Sequence, residues 1–317
     1  METILLTAYI GSHTAINFLE KYNVIILDNF FNSEKSVIEK IEKITKKVKF
    51  YETDLRNKED LRKIFLENKI DFVIHFALKA VESCEKPFFY YENNILSLNL
   101  FEIMDEFSVK NIIFSSSATV YDNTKKAPFF EYSAVNTTSP YTTKLILENI
   151  LRDLSNHKNF KVINLRYFNP IAHKTGLLEN PNIPNNLLPY LMKVVSRQLK
   201  FLQVFDDYET KDSERDYIHI LDLAESHFQA FLFLKKNSKK LYEEINITGK
   251  STSVFEIIKI TEKIWQKINY KIFERRSDVA ILSCNPEKAK NLLGWQAIYS
   301  VEDAIKDSLN FIEKQKK

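Results

Sequence analysis

Glycine is nearly missing from this chain: it has only Gly11, Gly176, Gly249 and Gly294, where ordinary usage over its length would give about 22. Cysteine is also scarce. Cys84 and Cys284 lie far apart with no CxxC spacing, which argues against a disulfide framework or a zinc site and leaves two ordinary thiols. No apolar stretch approaches the roughly 20 residues of a membrane span, and no basic segment precedes the short apolar run at Ile4-Leu5-Leu6. A soluble, cytosolic protein is expected, with no membrane partner. Charge of one sign is missing too. The 45 basic and 42 acidic residues are interleaved, for a formal net charge of +3, so there is no nucleic-acid footprint.

What is present is ordinary globular material, 44% hydrophobic and 27% charged. Its 317 residues are enough to bury a large core in one domain or in two lobes sharing a cleft. Ile4–Thr7 and Val24–Leu27 are short apolar runs, the second closed by Asp28, and between them His13–Tyr22 has helical spacing. Further runs of this kind lie at 48–51, 72–75, 111–114 and 162–165, with helical patterns at 58–68 and 94–107. Apolar strands alternating with helices predict an α/β fold built on a doubly wound parallel sheet, with ligands at the carboxyl ends of its strands.

Beyond residue 170 the pattern changes. A loop with two prolines, Asn180–Asn186, precedes a helix over 187–198, and a turn-rich stretch follows near 206–214. Later helices are expected over 222–234, 254–268 and 301–315. The division this suggests is a nucleotide-binding domain over 1–170 and a smaller lobe over 171–317, some of whose segments return to the first domain.

Two groups of residues carry chemistry. In the first, Tyr9-Ile10-Gly11 sits at a strand-to-helix turn where backbone amides can hold a pyrophosphate. Asp28, seventeen positions after Gly11, closes the next strand, where a carboxylate binds ribose hydroxyls and repels a 2′-phosphate, favouring NAD over NADP. Each feature alone also fits a plain turn or strand end. In the second group, Ser115-Ser116-Ser117 follows the strand at 111–114, and Tyr141 with Lys144 opens a helix. A serine, a tyrosine and a lysine can surround one reacting hydroxyl, the lysine favouring the phenolate of a residue whose unperturbed pKa is about 10.

These motifs, together with Val73–Ala77, Arg166-Tyr167-Phe168-Asn169-Pro170, Ile183–Leu187 and Arg215–His219, make the chain resemble the UDP-hexose 4-epimerases of the extended short-chain dehydrogenases over nearly its whole length. The resemblance implies a Rossmann-like fold with a smaller C-terminal substrate-binding lobe, NAD as cofactor, no metal, and a UDP-hexose substrate. It implies a homodimer as well. It places Tyr9, Ile10, Gly11, Asp28, Asn29, Asn32, Ser33, Asp54, Leu55, Phe76, Ala77, Lys79, Asn94 and Phe168 at the cofactor. Ser117, Tyr141 and Lys144 fall on the catalytic positions, the last two also touching the cofactor. Lys79, Ser117, Thr119, Tyr141, Asn169, Asn186, Leu187, Arg215, Arg276 and Asp278 fall at the sugar nucleotide. Leu282 falls where the family varies side-chain size, and its modest bulk leaves N-acetylated UDP-hexoses open.

The departures from the family are one-sided. Its glycines are missing between Thr7 and Ala8, Ala77 and Leu78, Val81 and Glu82, and Tyr121 and Asp122, and its Tyr-x-x-x-Lys is here Tyr141-x-x-Lys144. One residue fewer at a helix start turns later side chains by about 100° relative to the tyrosine. Because nearly every shortfall falls on a glycine position, we expect the molecule made in its own cell to carry glycine there. Taken as written, the sequence keeps three other readings open: an impaired epimerase-like protein that binds dinucleotide or sugar nucleotide, another sugar-nucleotide enzyme of the same class, and a plain structural module.

Overall fold

The computed structural model describes residues 1–7, 11–31, 35, 38–39, 41–42, 48–76, 87–122, 125, 127–137, 142–172, 187–205, 213–274 and 281–315. Its frame is a seven-stranded, all-parallel sheet. The strands are β1 (Thr3–Thr7), β2 (Asn23–Asp28), β3 (Val48–Glu52), β4 (Phe72–His75), β5 (Asn111–Ser117), β6 (Lys161–Tyr167) and, much later in the chain, β10 (Leu241–Ile247). Their order across the sheet is β10-β6-β5-β4-β1-β2-β3. Winding reverses between β1 and β4, which is where doubly wound sheets open a crevice for ligands.

Both faces of the sheet are covered, which is why its inner strands read as apolar runs. On one face α1 (Gly11–Phe18) packs with α6 (Ile220–Lys236). Phe18 sits edge-on to Phe228 and Phe231, each with ring centroids 5.1 Å away. The other face carries α2 (Lys58–Glu67), α3 (Pro87–Glu106) and α4 (Thr142–Lys158). The α3 helix starts earlier than its apolar spacing predicts because Pro87 occupies the first turn, where its fixed φ and missing N–H do no harm.

The carboxyl edge continues into a smaller assembly. Strand β7 (Asn169–Ile171) follows β6 and pairs with β9 (Glu214–His219), which also pairs with β11 (Lys250–Ser253) and β13 (Ile281–Leu282). Beside them lie α5 (Leu187–Val195), α7 (Val254–Ile264), α8 (Val301–Gln315) and a parallel pair of β8 (Leu202–Phe205) with β12 (Tyr270–Phe273). The helix expected over 254–268 ends at Ile264, where the chain turns at Trp265 towards β12.

Two of the few glycines have a clear reason to be there. A Cβ on Gly249 would lie 2.1 Å from the Tyr217 carbonyl oxygen, and Gly294 has φ of 66° where it closes a short helical turn. Elsewhere left-handed backbone falls to other residues, among them Phe30 at φ 54° and Ala172 at φ 89°, conformations that a Cβ disfavours.

Candidate active site

A parallel sheet delivers all its strand ends to one edge, so Thr7, Asp28, Phe76, Ser117 and Phe168 gather there by topology. The register aligns Thr7 with Leu27 and His75, His75 with Phe114, and Ser117 with Tyr167.

At the cofactor end, α1 begins at Gly11 directly beyond β1, so its amino-terminal N–H groups face the exit of that strand. Asp28 is buried at the end of β2 and accepts the Phe30 amide at 2.7 Å. Asn29 donates to Asp54 at 2.8 Å, so the structure brings these two expected residues together. Arg56 grips Asp54 with two side-chain bonds, of 3.0 and 2.7 Å, and holds its carboxyl well below the usual carboxylate range. Leu55 is buried, with its carbonyl tied to Asn99 at 3.0 Å. Asn94, on α3, has a buried Oδ1 with no hydrogen-bond partner among the described residues.

A buried relay that sequence reasoning did not single out ties this end together. The Phe76 amide donates to Thr7 Oγ1 at 3.0 Å, Thr7 bonds His75 Nδ1 at 2.8 Å, and His75 Nε2 bonds Ser97 on α3 at 2.9 Å. Ser97 then donates to the Asn93 carbonyl at 2.7 Å. Burial, with the Lys144 charge second, pushes His75 down to about 3, so the ring is neutral and acts as a spacer.

At the catalytic end, Ser117 leaves β5 and its Oγ accepts the Thr119 amide at 3.2 Å, capping a short 3-10 turn over Ala118–Val120. Its own proton has no acceptor among the described residues. Thr119 itself is exposed. Lys144, in the first turn of α4, donates to the Ser115 carbonyl at 2.7 Å and lies 3.5 Å from that of Ser116. Burial lowers Lys144 to about 8, while Glu148 one turn further along pulls the other way. Its ammonium also faces the rings of Phe114 and Tyr167, at 5.9 and 5.6 Å.

At the substrate end, Phe168 is fully buried against Tyr121, in a small cluster that includes Phe129, Leu145 and Cys284. Asn169 donates to the Asp216 carbonyl at 2.8 Å, joining β7 to β9. Arg215, next along β9, is aligned with Leu282 on β13, so the charge expected at the diphosphate adjoins the size-varying position. Leu187 opens α5 half-buried against the core. Tyr9, Ile10, Asn32, Ser33, Ala77, Lys79, Tyr141, Asn186, Arg276 and Asp278 lie outside the described residues, as does Cys84.

Sequence reasoning also passed over Glu148, and it gave no role to Arg166 and Asp216, which it met only as members of motifs. Asp216 is buried and accepts the Thr248 hydroxyl at 3.0 Å and the Cys284 amide at 2.9 Å, anchoring the chain just after β13. The available signal for Glu148 was its place four residues after Lys144, on the same helical face.

Comparison with known proteins agrees with this geometry. The family described as GDP-mannose 4,6 dehydratase matches residues 6–308. The UDP-glucose 4-epimerase of Bacillus subtilis is 44% identical over 95% of this chain and 93% of its own. That of Pasteurella multocida is also 44% identical, over 98% and 96%. Among solved structures, the UDP-glucose 4-epimerase from Bifidobacterium longum in complex with NAD+ and UDP superposes with a TM-score of 0.91 at 41% identity, covering 99% of each chain. The enzyme from Stenotrophomonas maltophila, with bound NAD and formylated UDP-arabinopyranose, gives 0.92 at 33% identity, covering 100% of this chain and 99% of its own. With its strand order, its reversal of winding between β1 and β4 and a lysine on α4 bonded to the strand that ends in Ser117, the chain belongs to the UDP-glucose 4-epimerase family of the extended short-chain dehydrogenases/reductases.

Proposed function

We propose that the chain interconverts UDP-glucose and UDP-galactose with NAD as cofactor, through a 4-keto sugar that turns over in the site. The observation that carries this reading is that Lys144 is fastened to the strand that presents Ser117, two residues of the expected catalytic set on adjoining elements. The residues fit the dinucleotide: among the described residues Asn94 Oδ1 is buried without a partner, Asp28 stands at the end of β2, and α1 begins at Gly11 a few residues past β1. Asp28, Asn29, Asp54, Asn94 and the start of α1 would hold it.

When bound, NAD supplies the acceptor that takes the C4 hydride and returns it to the opposite face, so there is no net redox change. Tyr141 takes the C4 hydroxyl proton, and the Lys144 ammonium favours its phenolate. Ser117, its acceptor side occupied by the Thr119 amide, donates its proton to the reacting oxygen. Arg215 and Arg276 hold the diphosphate, Asn169 and Leu187 border the sugar nucleotide, and the hexose is held loosely enough to turn. The unchanged parent protein is expected to convert UDP-galactose to UDP-glucose and to release NAD on denaturation. An empty site with no turnover would favour the impaired binder that the Tyr141-x-x-Lys144 spacing keeps in play.

Leu282 keeps the N-acetylated pair open as further substrates, and a two-substrate assay with UDP-glucose and UDP-N-acetylglucosamine separates the cases. The proposal includes a homodimer, supported by an exposed apolar stripe on α3. Phe88, Tyr91, Ile95 and Leu98 are spaced three, four and three residues apart along one helix face. Ile95→Lys should halve the mass seen by light scattering, and a monomeric parent would remove this part. A cytosolic location, where isolated thiols stay reduced, completes it. Among the described residues no helix is long and apolar enough to cross a membrane.

A further inference from the structure

Directly beneath Ser117 and Lys144 lies a buried polar layer that the reaction described above does not use. Arg166, on β6, meets Glu148, on α4, through two bonds, Nε to Oε1 at 3.0 Å and Nη2 to Oε2 at 2.5 Å, with both side chains sealed from water. Ser116, the residue before Ser117, donates to the same Oε1 at 2.5 Å. The remaining arm of Arg166 donates to the Glu131 carbonyl at 3.1 Å and to the Tyr121 hydroxyl at 3.3 Å. Tyr121 in turn donates to Asn246 on β10 at 2.6 Å.

This layer joins three strands and a helix at the level of the reacting groups. Glu148 holds the end of β5 through Ser116, and Lys144, one turn earlier on the same helix, holds it through the Ser115 carbonyl. A well-packed apolar layer would stabilise the fold as well or better, so stability alone does not account for charges at this depth. Removing Glu148 would therefore change both where β5 sits against α4 and the charge that Lys144 feels.

We propose that Glu148, locked by Arg166 and Ser116, is a positioning residue that fixes the Lys144 ammonium and the Ser117 hydroxyl relative to one another. This rests on the reaction assigned above. Lys144 is faced by the Ser115 and Ser116 carbonyls and the Phe114 ring from β5, and by the Tyr167 ring from β6, which also carries Arg166. Neutral His75 faces it from β4 and Glu148 from its own helix. Glu148 is the group here that favours the ammonium, so its loss lowers the pH at which Lys144 discharges.

The test uses the NAD-loaded full chain with UDP-galactose. Glu148→Gln keeps the shape and removes the charge; kcat should fall about tenfold with KM unchanged, as expected for a small misplacement of reacting groups. The alkaline limb of its kcat profile should move to lower pH. Ser116→Ala leaves the ion pair whole and unhooks only the strand, so kcat should fall while the alkaline limb stays where it is in the parent. A folded Glu148→Gln whose alkaline limb does not move overturns the proposal, and so does Ser116→Ala with parental kcat. Should Glu148→Gln fail to fold, Ser116→Ala decides by itself. A parent with no turnover overturns the assigned reaction instead, which separates the two failures.

Discussion

Two arginine–carboxylate pairs lie near the carboxyl edge of the sheet, one at the exposed rim beyond β3 and one buried beside β5, and they share a chemistry but not an environment. Arg56 and Asp54 meet at 2.7 Å with 47% and 27% of their side chains exposed, whereas Arg166 and Glu148 meet at 2.5 Å with 2% and 0% exposed. Water screens the first pair, so contacts of that kind contribute only about 0–1 kcal/mol. The second has lost its water, and removing Arg166 strands the buried Glu148 charge, at a cost of roughly 3–5 kcal/mol, whereas Arg166 has a second carboxylate, that of Glu244, at 3.4 Å. The rim pair can therefore exchange partners when a ligand arrives, while the buried pair keeps one geometry throughout.

The sharpest way to break this comparison is Arg166→Met, which leaves Glu148 buried and unpaired. Urea unfolding should show a loss of about 3–5 kcal/mol, most of it recovered in the double variant with Glu148→Leu. If the single variant keeps parental stability, the buried pair is no more constrained than the rim pair.

The junction between the two regions gives a smaller expected effect. Inserting one glycine between Tyr141 and Thr142 leaves the Lys144–Glu148 spacing intact and turns Tyr141 by about 100° relative to it. Steady-state assays should show kcat rising at least about tenfold as the reacting groups come into line. A fall in kcat would mean that the short spacing is the working one.

The smallest effect is expected at the rim. Asp54→Asn should change stability by less than about 1 kcal/mol, and added salt should shrink the difference further. Its NAD affinity, read by fluorescence titration, should weaken all the same. A stability loss matching that of Arg166→Met would erase the contrast.

How much of this was legible depended on whether a residue's neighbours in space were also its neighbours in sequence. The first six strands announced themselves, the inner ones because burial on both faces leaves unbroken apolar runs such as Val24–Leu27. Strand β10 did not. Leu241–Ile247 carries Glu243 and Glu244 in its middle, and they are tolerated because Lys288 and Arg152 meet them at 2.9 and 2.6 Å at the edge of the sheet. Asp28 was readable as a strand-end carboxylate, and Ser117 and Lys144 as parts of a family pattern. Glu148 and Arg166 read as an ordinary helix residue and an ordinary strand residue, because their contact is made only when α4 packs across β5 and β6. The short β13 was equally hidden, since a two-residue strand carries no period.

In the proposed reaction Tyr141, assisted by Lys144 and Ser117, moves the proton that allows hydride to leave the sugar. Rapid mixing of the NAD-loaded protein with UDP-galactose, followed at the absorbance of reduced nicotinamide, tests it most directly. The parent should show a transient that is lost in Tyr141→Phe together with turnover, while bound NAD is retained. Equal transients and equal turnover in the two proteins would contradict it.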